Sequence, residues 1–252
     1  MLENRPPHIS SVDKKRKSDK ELAALYEQVI RYYRTLPFDE KKAAKEDRFY
    51  RRLVGPNRIF MALKRTVALR QELLPDDLNG IYVANHIGSF DQFYIGEVLR
   101  GPVRYLVNEK IPTWPIRWHL LYKPSGVVVV DQKSLSSWRQ AKTFLNQYVM
   151  QGRSTFIFPE GHRMGPDNIG AFNPGVIEHA QETGQSIVTM AVKNTEKLLA
   201  TKRPIICVGR TVEVGRRDDI RDKAHEVREA VLEAYDFICE YEAGAHAARI
   251  YS

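Results

Sequence analysis

Two short runs of residues carry most of the chemistry available to this chain. The first is Asn85-His86-Ile87-Gly88-Ser89-Phe90-Asp91-Gln92. An imidazole exchanges a proton near neutral pH. A carboxylate five residues on can meet it only through a loop, since positions five apart on a helix lie on different faces. An ionised Asp91 bonded to one ring nitrogen of His86 fixes the tautomer and leaves the other nitrogen as a base, which is half of a catalytic triad. A nucleophile is missing. Ser89 is the nearest hydroxyl, but with Gln92 three residues later it reads as a capping box, with Ser89 the N-cap and Asp91 the second helical residue. No G-x-S-x-G elbow occurs in the chain. Such a pair suits activation of a substrate hydroxyl that attacks an activated acyl group directly. A stabilised loop and helix start is the plainer reading, and these eight residues do not separate the two.

The second run is Phe158-Pro159-Glu160-Gly161-His162-Arg163. Gly161 permits close backbone approach, and Arg163 presents a fork of donors suited to phosphate. Glu160 is placed to accept from a substrate hydroxyl or to hold Arg163. A surface turn with a local ion pair is the plainer alternative. Backbone amides near Gly88 or Gly161 are candidate oxyanion donors. His119 and His162 receive no role. Trp114 and Trp118, four apart, read as core packing, and Cys207 as a packed small hydrophobe.

Both runs need a scaffold that brings them to one edge. Apolar β-rich runs occur at Ile81–Ala84, Val103–Val107, Val127–Val130, Thr155–Phe158, Ile187–Val192 and Ile205–Val214. Helical patterns fall at Phe90–Leu99, Trp114–Leu121, Leu135–Met150 and Gly175–Glu182, with a closing helix at about Asp218–Glu240. This alternation predicts an α/β fold with a largely parallel or mixed sheet flanked by helices. Each chemical run follows a strand, at the carboxyl end where α/β folds place ligands. Upstream, Leu22, Tyr26, Val29 and Tyr33 mark an amphipathic helix. A second is expected over Ala43–Leu53, ending at Gly55-Pro56, and a third from about Asn57 to Leu74. The expected organisation is a flexible basic lead-in (1–19), a basic helical extension (20–75) and the α/β domain (76–252).

Composition narrows the class. The 252 residues are 43% hydrophobic and 28% charged, an ordinary globular balance. Two cysteines exclude a disulfide framework, and no Cys/His cluster has zinc spacing, so no metal is expected. No secretory signal or spanning segment is visible. Residues 1–75 hold 18 Lys/Arg against 10 Asp/Glu, while residues 76–252 hold 21 of each. The basic surplus of residues 20–75 suits an anionic membrane surface, with solvated charges on packed helices as the plainer reading. No nucleic-acid motif accompanies it, so no nucleic acid is expected as a partner.

Asn85-His86 followed by Asp91 resembles the N-H-x-x-x-x-D block of glycerolipid acyltransferases, among them the lysophosphatidic acid acyltransferases. Phe158-Pro159-Glu160-Gly161 with Arg163 resembles their F-P-E-G-T-R block. Gly126 leading to Asp131, Phe172 with Gly175, and Ile187-Val188 fall where that family has its remaining blocks, so the resemblance covers about residues 57–240. It implies His86 as general base, Asp91 as its partner, and Glu160, Gly161 and Arg163 as acceptor-binding residues. It also implies an acyl thioester of coenzyme A or acyl carrier protein as co-substrate, a lysolipid acceptor, no further cofactor, and a cytoplasmic protein held peripherally at the inner face of a membrane. The departures are Gln132 for an arginine, Asn173 for a lysine, Thr189 for a proline and His162 for a threonine. Loss of two cations suggests an acceptor other than lysophosphatidate, such as a lyso-aminolipid or a carrier-tethered metabolite, with Lys110 or Arg104 as possible replacements. The non-catalytic alternative is a lipid- or thioester-binding module.

Overall fold

The computed structural model describes residues 9–63, 65–77, 79–99, 101–110, 126–131, 133–196 and 202–250. The predicted helix Trp114–Leu121, with Trp114, Trp118 and His119, lies outside them, as does Gln132.

Among the described residues seven strands form one sheet: β1 (Val67–Leu69), β2 (Ile81–Ala84), β3 (Val103–Asn108), β4 (Val128–Val130), β5 (Ser154–Ile157), β6 (Ile187–Lys193) and β7 (Ile205–Val212), in the order β1-β7-β6-β2-β5-β3-β4. All neighbours are parallel except β6 and β7. The described helices are α1 (Ser11–Arg16), α2 (Asp19–Thr35), α3 (Glu40–Leu63), α4 (Asp91–Leu99), α5 (Leu135–Met150), α6 (Gly175–Thr183) and α7 (Ile220–Ile250).

The strand alternation assigns side chains to two cores. Ile81 and Val83 join the cluster under α5, α6 and α7, whereas Tyr82 and Ala84 join the cluster under α4. Both faces are covered, which is why these strands read as continuous apolar runs. Cys207 is fully buried and its thiol is pushed up to about 11 by desolvation, as befits a packed hydrophobe.

The N-terminal third differs from expectation in three ways. Residues 11–16 are helical, closed by a reciprocal capping box between Ser10 and Asp13, so the described part of the lead-in is ordered. A single helix, α3, runs through Pro56 where two were expected. Its first half is anchored by tertiary contacts: the buried Arg104 guanidinium pairs with Asp47 and, at 3.5 Å, with Glu46, and lies over the Tyr148 ring. Thirdly, Val67–Leu69 is a strand paired to β7, so the sheet begins inside the expected extension. Helix α2 is likewise part of the fold. Leu22, Tyr26, Val29 and Tyr33 are 1–2% exposed, on a face packed against α5 and α6. Each such side chain contributes about 1.5–3 kcal/mol, and the Tyr26 and Tyr33 hydroxyls donate to the Arg216 carbonyl and to Glu182.

On the buried side of α6, facing α5, lies a histidine that the sequence did not single out. His179 is fully buried, its Nδ1 bonded to Asn146 Oδ1 and its Nε2 to the Thr155 hydroxyl. Because Asn146 spends its amide on Glu182, Oδ1 faces the ring and Nδ1 carries the proton. Burial, reinforced by the nearby Lys142 ammonium, lowers the His179 pKa from 6.5 to about 3. The folded state thus binds this proton less tightly than the unfolded chain, and the associated stability, present above pH 6.5, is lost as the pH falls toward 3. We predict a loss of about 2 kcal/mol between pH 7 and pH 5 in urea titrations. His179→Gln should lose markedly less over that interval; an equal loss in both would exclude His179 as the cause.

Candidate active site

Strands β2, β5, β3 and β4 run parallel, so their carboxyl ends meet along one edge. A cavity of about 1110 Å³ opens there, and its wall takes His86 from after β2, Arg163 from after β5, and Lys110 and Lys133 from after β3 and β4.

Asn85 extends the β2–β6 pairing with its side chain. Its amide donates to the Val192 carbonyl at 3.0 Å, and its carbonyl accepts from the Val192 amide at 2.8 Å. The chain then turns, and His86 Nδ1 lies 2.8 Å from Asp91 Oδ2. Asp91 is the first residue of α4, so the helix begins one residue later than the capping-box reading placed it. Its carboxylate is fully buried and is held by the amides of Ile87 (2.7 Å) and Gly88 (2.9 Å) and by the Thr195 hydroxyl (2.7 Å). This acceptor-only arrangement assigns the Nδ1 proton to His86, oriented by a carboxylate with no solvent to compete for it. The His86 ring, 17% exposed, stacks on Phe158 with centroids 4.1 Å apart and an angle of 16°. Gly88 has no alternative, because a Cβ there would lie 2.4 Å from the Glu196 Cα.

Glu160 does not face the cavity. It is 2% exposed, and its two oxygens accept the backbone amides of His86 (2.9 Å) and Gly170 (3.0 Å). Burial raises its carboxyl pKa, against the lowering effect of those two amides. Both oxygens thus brace the His86 loop from beneath, and the bonds of Glu160 do not include one to Arg163. Gly161 and Arg163 do line the cavity, as does the exposed His162. Of the amides expected near these glycines, those of the glycines themselves are engaged: Gly88 N–H serves Asp91, and Gly161 N–H donates to the Phe158 carbonyl at 3.1 Å.

The departures from the resembled pattern have structural uses. Asn173 donates through both its backbone and side-chain amides to the Pro159 carbonyl, tying down the second run. The Thr189 hydroxyl donates to the Arg210 carbonyl across β6 and β7. Arg104, bound to Glu46 and Asp47, is no replacement cation, whereas Lys110 sits in the cavity wall. Sequence reasoning missed Thr195 and the stacking role of Phe158. Thr195 follows a strand edge at no recognisable spacing from Asp91, and only the fold joins them.

A family model described as Acyltransferase matches residues 66–193, half of the chain. The chain belongs to the acyltransferase family. Acyltransferase relatives include the 1-acyl-sn-glycerol-3-phosphate acyltransferase of Borreliella burgdorferi, 27% identical over 54% of this chain and 54% of its own length. The lyso-ornithine lipid O-acyltransferase of Pseudomonas aeruginosa is 26% identical over 44% of this chain and 42% of its own. The chain thus spans about half the length of the curated relatives it matches. Among solved structures, the 1-acyl-sn-glycerophosphate acyltransferase of Thermotoga maritima superposes with a TM-score of 0.53 at 17% identity, covering 90% of this chain and 86% of that one. That likeness establishes the acyltransferase fold.

Proposed function

We propose that this chain transfers a fatty acyl group from a thioester of coenzyme A or acyl carrier protein to a hydroxyl of a lysophospholipid acceptor. The observation that carries the reading is the His86–Asp91 pair, with His86 in the wall of a cavity large enough for a lipid. In this mechanism His86 Nε2 takes the acceptor hydroxyl proton while the oxygen attacks the thioester carbonyl. Asp91 stabilises the imidazolium through Nδ1–H. The tetrahedral intermediate collapses, the C–S bond breaks, and the thiolate leaves with the proton from Nε2. Phe158 keeps the ring in plane, and no acyl-enzyme forms.

The charge of the wall favours an anionic acceptor. Lys133 and Arg163 contribute cations, and among the described lining residues the acidic Glu178 is paired with Lys142 at 3.0 Å. Lysophosphatidate meets this charge balance better than a zwitterionic aminolipid. The test is thiol release and extracted-lipid mass analysis with palmitoyl-coenzyme A and palmitoyl-carrier protein, offered lysophosphatidate or a lyso-ornithine lipid. Release dependent on lysophosphatidate is expected; release only with the aminolipid would overturn the acceptor assignment.

Membrane contact falls to α3 in this reading, because the apolar face of α2 is buried within the fold. Lys41, Lys45, Arg48 and Arg52 are exposed and recur at helical spacing along one side of α3. Among the described residues no helix is long and apolar enough to cross a membrane. Reversing these four charges to Glu should weaken binding to phosphatidylglycerol vesicles by at least tenfold, since each cation contributes up to about 1 kcal/mol at an anionic surface. Unchanged cosedimentation would place the contact elsewhere.

A further inference from the structure

The segment after the second chemical run forms a bridge between His86 and the last helix. Its near end bonds to the catalytic loop, through Met164 N–H on the His86 carbonyl at 2.9 Å. Its far end, Gly170, donates its amide to Glu160, whose other oxygen holds the His86 amide. Behind Gly170 stands Arg228 of α7. Its Nε donates to the Gly170 carbonyl at 2.9 Å and its Nη2 to the Ile169 carbonyl at 3.0 Å, while Nη1 pairs with Glu229 at 3.0 Å. The guanidinium fork therefore holds the carbonyls of two consecutive peptide groups at once, which a single ammonium point charge does less rigidly. Ile169, which supplies one of those carbonyls, is buried in the main core.

We propose that Arg228 is a positioning residue for His86, acting through Gly170 and Glu160. It stands outside the matched segment 66–193 and touches neither the cavity nor the His86–Asp91 pair. Its bonds orient the peptide whose amide engages Glu160, and Glu160 in turn fixes the backbone from which the imidazole projects. Releasing that peptide lets the His86 backbone drift while Asp91, held by Ile87, Gly88 and Thr195, stays in place. The base then loses alignment with the acceptor hydroxyl without any change in the cavity wall. Tyr235 and Lys193 fasten the same segment further along, at Asp167, so the bridge does not depend on Arg228 for its overall path.

The inference rests on the acyl-transfer reading, and its test keeps the two apart. Wild type, Arg228→Met, Arg228→Lys and, as a control on the same helix, Glu233→Gln are compared as full chains. Steady-state kinetics use palmitoyl-coenzyme A and lysophosphatidate, and hydrogen exchange is read at the His86 and Gly170 amides. Arg228→Met should lower kcat on the order of tenfold or more, with both KM values within about twofold of wild type. Exchange at the two amides should quicken by about tenfold or more as their bonds loosen. Arg228→Lys, which keeps the charge and reaches one carbonyl, should recover part of kcat, and Glu233→Gln should match wild type. Unchanged kcat in a folded Arg228 variant, a raised KM at constant kcat, or unaltered amide exchange would each overturn the proposal. If Arg228→Met fails to fold, Arg228→Lys decides by the same criteria. A wild type without acyl transfer from either palmitoyl-coenzyme A or palmitoyl-carrier protein would refute the function instead, and the exchange measurement would still judge the bridge.

Discussion

Acceptor-dependent thiol release should fall by about a thousandfold or more in His86→Ala, with KM for the thioester nearly unchanged. The magnitude follows from the site's construction. Removing the imidazole deletes the proton acceptor and leaves the cavity wall otherwise intact. It also leaves the fold intact, because Asp91 keeps three of its donors: the amides of Ile87 and Gly88 and the hydroxyl of Thr195. Asp91→Asn is the poorer test. An asparagine would turn an amine toward one of those donors, so lost activity would be mixed with lost stability. A His86→Ala protein retaining a tenth of wild-type turnover would exclude His86 as general base.

Among the described residues, the alternating strands and helices were legible from residue 81 onward because both faces of the sheet are covered. Their strands therefore read as uninterrupted apolar runs bounded by polar turns. Val67–Leu69 escaped because three residues are too few to show a period, and their apolar positions also fit helical spacing. The helix through Pro56 escaped because Gly55-Pro56 is a local stop signal, whereas what holds the first half of α3 is the distant Arg104. For α2, Leu22, Tyr26, Val29 and Tyr33 form a stripe that suits a lipid surface as well as α5 and α6, and periodicity does not name the partner. The His86–Asp91 contact was readable because the loop between them is short. Thr195, 104 positions from Asp91 in the chain, and Arg228, 58 from Gly170, act through contacts that only the folded sheet creates.

Glu160→Gln should separate a brace from a substrate ligand. In the fold, its two oxygens each accept a backbone amide. Glutamine offers one carbonyl and one amine, so either the His86 or the Gly170 amide would face another donor. A buried amide left unmet costs about 1–3 kcal/mol, and the displaced His86 backbone should lower kcat by about a hundredfold. KM for the acceptor should stay near wild type, since Glu160 lies beneath the cavity and not in its wall. A raised acceptor KM with kcat preserved would instead return Glu160 to the acceptor. The pH dependence adds a second criterion. Burial raises the Glu160 carboxyl above its ordinary value of 4.5, so the native state holds this proton more tightly than the unfolded chain. The corresponding stability is fully present below pH 4.5 and is lost as the pH rises through the raised folded value. Glutamine does not titrate, and the remaining groups, His179 among them, are common to both proteins. The stability advantage of wild type over Glu160→Gln should therefore widen on acidification through that window. An advantage that narrows would mean that the two amides outweigh burial and that Glu160 braces the His86 loop most strongly as the anion.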